Sequence, residues 1–246
     1  MKQRFVMIRT VVAAIMLLFL LNGCSFFQDL LGISHGSDEE GDAAEFMSQG
    51  MDEMSAGRYK SAVEAFQKVK DRFPYSKYAI IAELRLADAL YLQEEYEPAY
   101  VAYDEFEKLH PKHKDTVYVI YQKGMCNFSQ IKSRDREQSH TLKAKDEFER
   151  LIKRYPRDDY ANKARKNLRE CLIYLAEHEL FVANYYYKRG QYNAALGRYM
   201  YILNNYPDMG QYQDAMEGIA RCKEKIAQET AEEGTWRTRW PFSIWK

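Results

Sequence analysis

The sequence predicts an all-α solenoid, helix pairs stacked side by side in two lobes that one long helix joins. Three observations predict it. One skeleton recurs in "GRYKSAVEAFQKVKDRFP", "EEYEPAYVAYDEFEKLHP", "SHTLKAKDEFERLIKRYP" and "GQYNAALGRYMYILNNYP". In each, an alanine (Ala62, Ala99, Ala144, Ala195) is followed four residues on by an aromatic (Phe66, Tyr103, Phe148, Tyr199) and twelve on by a proline (Pro74, Pro111, Pro156, Pro207). The intervals between successive alanines then widen, 37, 45 and 51 residues, and the last of these additions keeps helical periodicity. A small residue and a ring at i and i+4 share one helix face, so a neighbouring helix comes close at the alanine while the ring fills the next turn. Proline just past the last periodic position stops that helix.

Taken from the start, residues 1–23 read as a signal peptide. Lys2, Arg4 and Arg9 stand without an acid before the apolar run Val11 to Leu21. Such a run rises only about 16 Å as a helix, against a hydrocarbon core of ~30 Å, so it is an address and not a span. Leu21-Asn22-Gly23-Cys24 resembles a bacterial lipobox, although Asn22 stands where Ala or Ser is more usual. That resemblance implies a diacylglycerol and an N-acyl chain on Cys24, the sole non-protein groups expected. Two or more acyl chains anchor stably where one binds marginally. Ser25, by resemblance to lipoprotein sorting rules, points to the periplasmic face of an outer membrane. The other reading is an ordinary secretory peptide that leaves Cys24 a free thiol. Residues 24–43 are expected to be a flexible tether.

Residues 44–158 hold three repeats. Small residues also recur in the preceding helices: Gly50 stands twelve before Ala62, and Ala87, Gly124 and Ala220 each stand thirteen after a proline. This is the tetratricopeptide pattern of a helix pair about 34 residues long. In the third unit eight polar residues are inserted within "SQIKSRDREQSHT". Residues 159–228 hold the long helix and repeats four and five. Tyr160, Ala164, Leu168, Leu172, Leu175, Val182 and Tyr186 keep a three-to-four spacing, so four extra turns, ~21 Å, lengthen one helix instead of making a loop. Residues 229–246 form an aromatic and basic tail containing Trp236, Arg237, Arg239, Trp240, Phe242 and Trp245, suited either to capping the last repeat or to docking on a membrane or partner.

Composition narrows the function classes. Lysines and arginines balance aspartates and glutamates at 36 each, and removal of the signal's three basic residues takes the chain to about −3, so no nucleic-acid partner is expected. Cys126, Cys171 and Cys222 are expected as buried thiols. The "HELFV" at His178 lacks the second histidine of a zinc-protease helix, because Val182 stands there. His110 and His113 flank Pro111 and read as solvated loop residues. With no glycine-rich phosphate loop and no G-x-S-x-G, the chain reads as a binding scaffold without metal or catalytic residues. Of its 20 tyrosines, Tyr59, Tyr96 and Tyr192 hold equivalent repeat positions and are expected to pack between helices.

The lipobox, the inserted "RDREQSHT" and "LAEHELFVANYYYKRGQYNAA" together resemble the BamD (ComL/YfiO) lipoprotein family of the outer-membrane β-barrel assembly (BAM) machine, over about Phe46 to Gln228. Glu137 replaces the family's more usual Asp and retains the charge. The resemblance implies a non-catalytic partner of BamA. In the family, the carboxy-terminal repeats hold BamA's POTRA domain and smaller BAM lipoproteins, and the amino-terminal repeats receive unfolded β-barrel outer-membrane proteins. It assigns BamA pairing to Arg198 and makes Asp135 and Arg136 candidates for the same partner through a polar clasp in the insertion. Arg198 is otherwise a solvated helix residue, and Asp135 and Arg136 an exposed turn. For the terminal peptide of a barrel substrate, the first two repeats offer Tyr75, Tyr78, Tyr91 and Tyr96 as rings and Lys77 and Arg85 as cations. A different reading keeps the fold and makes the chain an adaptor that organises peptidoglycan enzymes.

Overall fold

The computed structural model describes residues 36–207 and 209–239, with side chains over 39–207 and 209–232. The signal peptide, Cys24 and residues 240–246 of the tail lie outside the described residues. Within them the chain forms α1 (Gly36–Ser55), α2 (Tyr59–Arg72), α3 (Ala79–Leu92), α4 (Tyr96–Leu109), α5 (Thr116–Phe128), α6 (Ser139–Arg154), α7 (Asp159–Lys188), α8 (Tyr192–Asn205) and α9 (Tyr212–Arg239). Each helix packs on the next, the solenoid the repeats predict.

Two kinds of turn alternate. Within three of the four pairs, the first helix ends in a left-handed residue: Gly57 (φ 73°), Glu94 (φ 66°) and Gly190 (φ 72°). At each, the following amide reaches back five residues and the left-handed residue's own amide reaches back three, as in Arg58 N–H to Glu53 O and Gly57 N–H to Met54 O. These are Schellman caps, and they satisfy carbonyls a helix end would leave bare. Between pairs, the residue before proline donates its last helical bond (Phe73 to Val69, His110 to Phe106, Tyr155 to Leu151, Tyr206 to Ile202), and proline, lacking an N–H, ends the helix.

The repeat's small residues and rings meet as the spacing predicts. Ala62, Ala99, Ala144 and Ala195 and their partner rings are all fully buried. A Cβ added at Gly50 would strike the Phe66 ring, and one at Gly124 the Phe148 ring, so these glycines exist to admit a ring. The tyrosines need more than space. Tyr103 donates its hydroxyl to Asp88 at 2.6 Å, and Tyr199 donates to Asn184 at 2.6 Å. The acceptor directly follows the small residue, Ala87 or Ala183; where the ring is Phe, that place holds Met51 or Met125. Burying a hydroxyl without an acceptor is costly, so ring and acceptor are chosen together.

Helix α7 is one unbroken helix of 30 residues, about 45 Å long. Its first half completes a core with α5 and α6, where Ala164, Leu168 and Cys171 meet Ile120, Phe148 and Leu151. Its second half builds another with α8 and α9, where Leu180 and Ala183 meet Tyr199, Ile202, Ala215 and Cys222. At the middle, Tyr206 and Met209 fold back onto Leu172, Leu175 and Ala176. The three cysteines are free and buried, and burial pushes the Cys126 and Cys171 thiols up to about 12.

Helix boundaries and packing depart from expectation at three places. Helix α1 begins at Gly36, inside the expected tether, because the acids of "GSDEEGDAAE" suit the positive end of a helix dipole. Ala220 is exposed, and Gly218 takes the place beside Tyr199, because α9 turns Ala215, Gly218 and Cys222 toward α8. Helix α9 runs on to Arg239 through the first part of the expected tail, since "KEKIAQETAEE" consists mainly of good helix formers.

Candidate partner-binding site

Between α3 and the starts of α5 and α7 lies an open cleft of about 450 Å³, lined by Leu84, Arg85, Lys114, Asp115, Val117, Tyr118, Asp158, Asp159 and Tyr160. Its floor is a polar network. Asp88, 5% exposed at its side chain, receives the hydroxyls of Tyr103 and Tyr118 on one oxygen and Arg85 at 2.6 Å on the other. Burial and the Asp88 carboxylate push the Tyr103 hydroxyl far above its ordinary pKa, so it remains a donor. Tyr118 and Tyr160 stand with ring centroids 5.5 Å apart.

The six residues expected to line a peptide groove do not converge. Arg85 alone of them reaches the cleft, and its charge is already shared with Asp88. Tyr75, fully exposed, sits in the α2–α3 turn, near Lys77, which pairs with Glu40 at 3.2 Å and lies over the Tyr78 ring. Tyr91 and Tyr96 are about 20 Å away at the other end of α3. There they meet edge to face at 5.4 Å against the core, with the Tyr91 hydroxyl 3.0 Å from Ser129. The physical reason is repeat geometry: residues near opposite ends of one helix cannot share a pocket. Sequence reasoning assigned neither Tyr118 nor Tyr160 to a site, although each is a tyrosine just inside the start of its helix, α5 and α7. The three carboxylates beside Lys114 also make the cleft a poor receptor for a terminal carboxylate.

The inserted loop is ordered by a residue not anticipated. Gln138, 8% exposed, donates to the carbonyl of Arg136 at 2.8 Å and accepts from the Thr141 hydroxyl at 2.9 Å. Asp135 takes the Ser133 hydroxyl instead of clasping Arg136, and that bond holds its carboxyl below the usual range. His178 Nδ1 lies 2.6 Å from the Arg134 carbonyl and ties the loop to α7. Asp135 and Arg136 line an open polar hollow with Lys132, Ser133, Glu137 and His140.

A charged clamp joins repeats two and three. Lys123, 5% exposed at its side chain, meets Asp104 at 2.5 Å, Glu107 at 3.2 Å and Glu147 at 3.5 Å, and Arg150 grips Glu107 with both terminal nitrogens at 2.6 and 2.9 Å. Burial alone would raise the carboxyls of Asp104 and Glu107, but the bonds from Lys108 and Lys123 to the first and from Arg150 to the second hold both below their ordinary values.

In the second lobe, Arg198 projects from α8, its side chain 46% exposed. Its Nη1 donates to both carboxylate oxygens of Glu179 on α7, at 3.0 and 3.2 Å. It borders a trough of about 390 Å³ between α7 and α8, lined by Tyr186, Asn193, Ala194, Gly197, Arg198 and Tyr201. Among the described residues, no group of three or more His, Cys, Asp or Glu side chains could hold a metal, and no helix is long and apolar enough to cross a membrane.

Comparison with known proteins supplies the context for these surfaces. The chain is 29% identical over 189 residues to the outer membrane protein assembly factor BamD of Neisseria meningitidis serogroup B, covering 73% of this chain and 71% of that one. It is 25% identical over 227 residues to BamD of Vibrio cholerae, covering 87% and 94%. Among solved structures, it is similar to the TPR2AB-domain:pHSP90 complex of yeast Sti1 (15% identity, TM-score 0.43, 75% of this chain and 70% of that one) and to MamA (14%, 0.39, 83% and 98%). The family model described as "YfiO: Outer membrane lipoprotein" matches residues 39–237, every repeat and the long helix included, and the chain belongs to that family.

Proposed function

We propose that this chain is a non-catalytic, lipid-anchored scaffold of the outer-membrane β-barrel assembly machine. Its second lobe docks the POTRA domain of BamA, its first lobe meets unfolded barrel proteins, and acyl chains on Cys24 hold it to the outer membrane. The relatives' shared name, outer membrane protein assembly factor, supports the activity. The observation that carries the docking is Arg198, a half-exposed guanidinium held in place by Glu179 beside an open trough. Asp135 and Arg136, exposed on the ordered insertion, offer a second contact, and smaller BAM lipoproteins share the second lobe.

The test is direct binding of the purified chain to the periplasmic domains of BamA from the same organism. Reversing a charge at a paired interface commonly costs 2 kcal/mol or more, so Arg198→Glu is expected to weaken binding by about 30-fold with helix content unchanged. Unchanged affinity would return Arg198 to the solvent.

A further inference from the structure

Glycine in the middle of a helix weakens it, so a mid-helix glycine usually marks close packing. Three glycines here obey that rule: Gly50, Gly124 and Gly218 each abut a ring that a Cβ would strike. Gly197 differs. It lies inside α8, on its exposed side, and an added Cβ would meet nothing within 4 Å. Nothing in the fold asks for glycine there, and the space it leaves open is the floor of the trough beside Arg198.

Arg198 is itself half satisfied. Both bonds to Glu179 come from Nη1, and Nη2 and Nε bond no other group among the described residues. A guanidinium fork with one edge unclaimed fits a second carboxylate in bidentate geometry. One turn further along α8, Tyr201 stands 44% exposed as a ring at the trough's edge.

Resting on the reading that Arg198 pairs with a carboxylate of the assembly partner, which closes on Nη2 and Nε, we infer that the trough recognises a second, apolar half of the same element: a side chain that enters the space above Gly197 against Tyr201 and Tyr186. Glu179 is then a positioning residue, holding Nη1 so that the other edge faces outward. Gly197 sets specificity by leaving room for the apolar half, and that half separates the true partner from any acidic surface that arginine alone would attract.

The test uses the full mature chain and the purified periplasmic domains of BamA, with affinity and melting temperature measured on Gly197→Ala, Gly197→Leu and Arg198→Glu. Either Gly197 substitution is expected to raise melting by about 2 °C or leave it unchanged, because a better helix former replaces glycine in open space. Gly197→Leu, which fills the trough, is expected to weaken binding about tenfold or more, and Gly197→Ala less. Gly197→Leu binding like the parent while Arg198→Glu loses affinity would overturn the trough and spare the pairing. Parent-like binding by both would overturn the partner reading as well. A Gly197→Leu melting temperature well below the parent's would show that the trough is structural and overturn the inference directly.

Discussion

Glu94 occupies a position where its two counterparts are glycine. Gly57 and Gly190 close their Schellman caps without a Cβ, whereas Glu94 holds the same left-handed backbone with one. That conformation costs a non-glycine residue about 1–2 kcal/mol, partly offset by glycine's greater freedom when unfolded. Glu94→Gly is therefore expected to stabilise the chain by roughly 0.5–1 kcal/mol, read as a higher urea midpoint at unchanged slope. A lower midpoint would mean that the Glu94 side chain contributes more than its backbone costs. Residue-scale detail was legible in part. The alanine and ring positions could be read directly, but the pairing of Tyr103 with Asp88 and of Tyr199 with Asn184 could not, because sequence spacing shows which residues share a face and not which atoms meet. The same limit misplaced the peptide groove: Tyr91 and Tyr96 have rings suited to recognition, and repeat packing had already claimed them.

At the scale of elements, the clamp around Lys123 makes α4, α5 and α6 one electrostatic unit. Asp104 and Glu107 have depressed values, so their contribution is present above the unfolded carboxylate range near pH 4 and is lost as pH falls through the folded values below it. Lys123 is raised, so its share stays constant through neutral pH and fades only in strong base. Melting temperature should therefore be flat between about pH 6 and 8 and drop below about pH 4. Lys123→Met leaves three carboxylates without their shared cation and is expected to cost about 3 kcal/mol, while Lys145→Met, which removes an exposed pair with Glu149, costs under about 1 kcal/mol. Equal costs would show the clamp to be no stronger than a surface pair. The helices themselves were legible because proline and alternating small and large residues punctuate them. The insertion's conformation was not, since it depends on Gln138 bonding to backbone carbonyls, and a glutamine carries no positional signature.

For the whole molecule, the proposed attachment and the described fold belong to different segments of the chain. The repeats begin well after Cys24, so Cys24→Ala is expected to leave helix content and melting unchanged while the protein moves from the outer-membrane fraction to the soluble or inner-membrane fraction. Retention in the outer membrane when BamA is depleted would remove the acyl anchor from the account. The unbroken length of α7 was readable from a single number, the 51-residue interval whose surplus kept helical spacing. What the interval could not tell is that Tyr206 and Met209 return to the middle of α7.

Repeat arrays usually behave as one-dimensional chains of units, each coupled only to its neighbours, so they can fray or fold from any point. A helix that belongs to two units at once removes one of those separable couplings. Melting the first lobe would strip one half of α7 of its partners, and melting the second would strip the other, so neither transition can finish without disturbing the rest. The central amides of α7, near Leu172 to Ala176, should accordingly be the slowest in the protein to exchange with deuterium, opening only in the global transition. A force applied at one end of the array would likewise reach the other through a continuous rod of peptide hydrogen bonds.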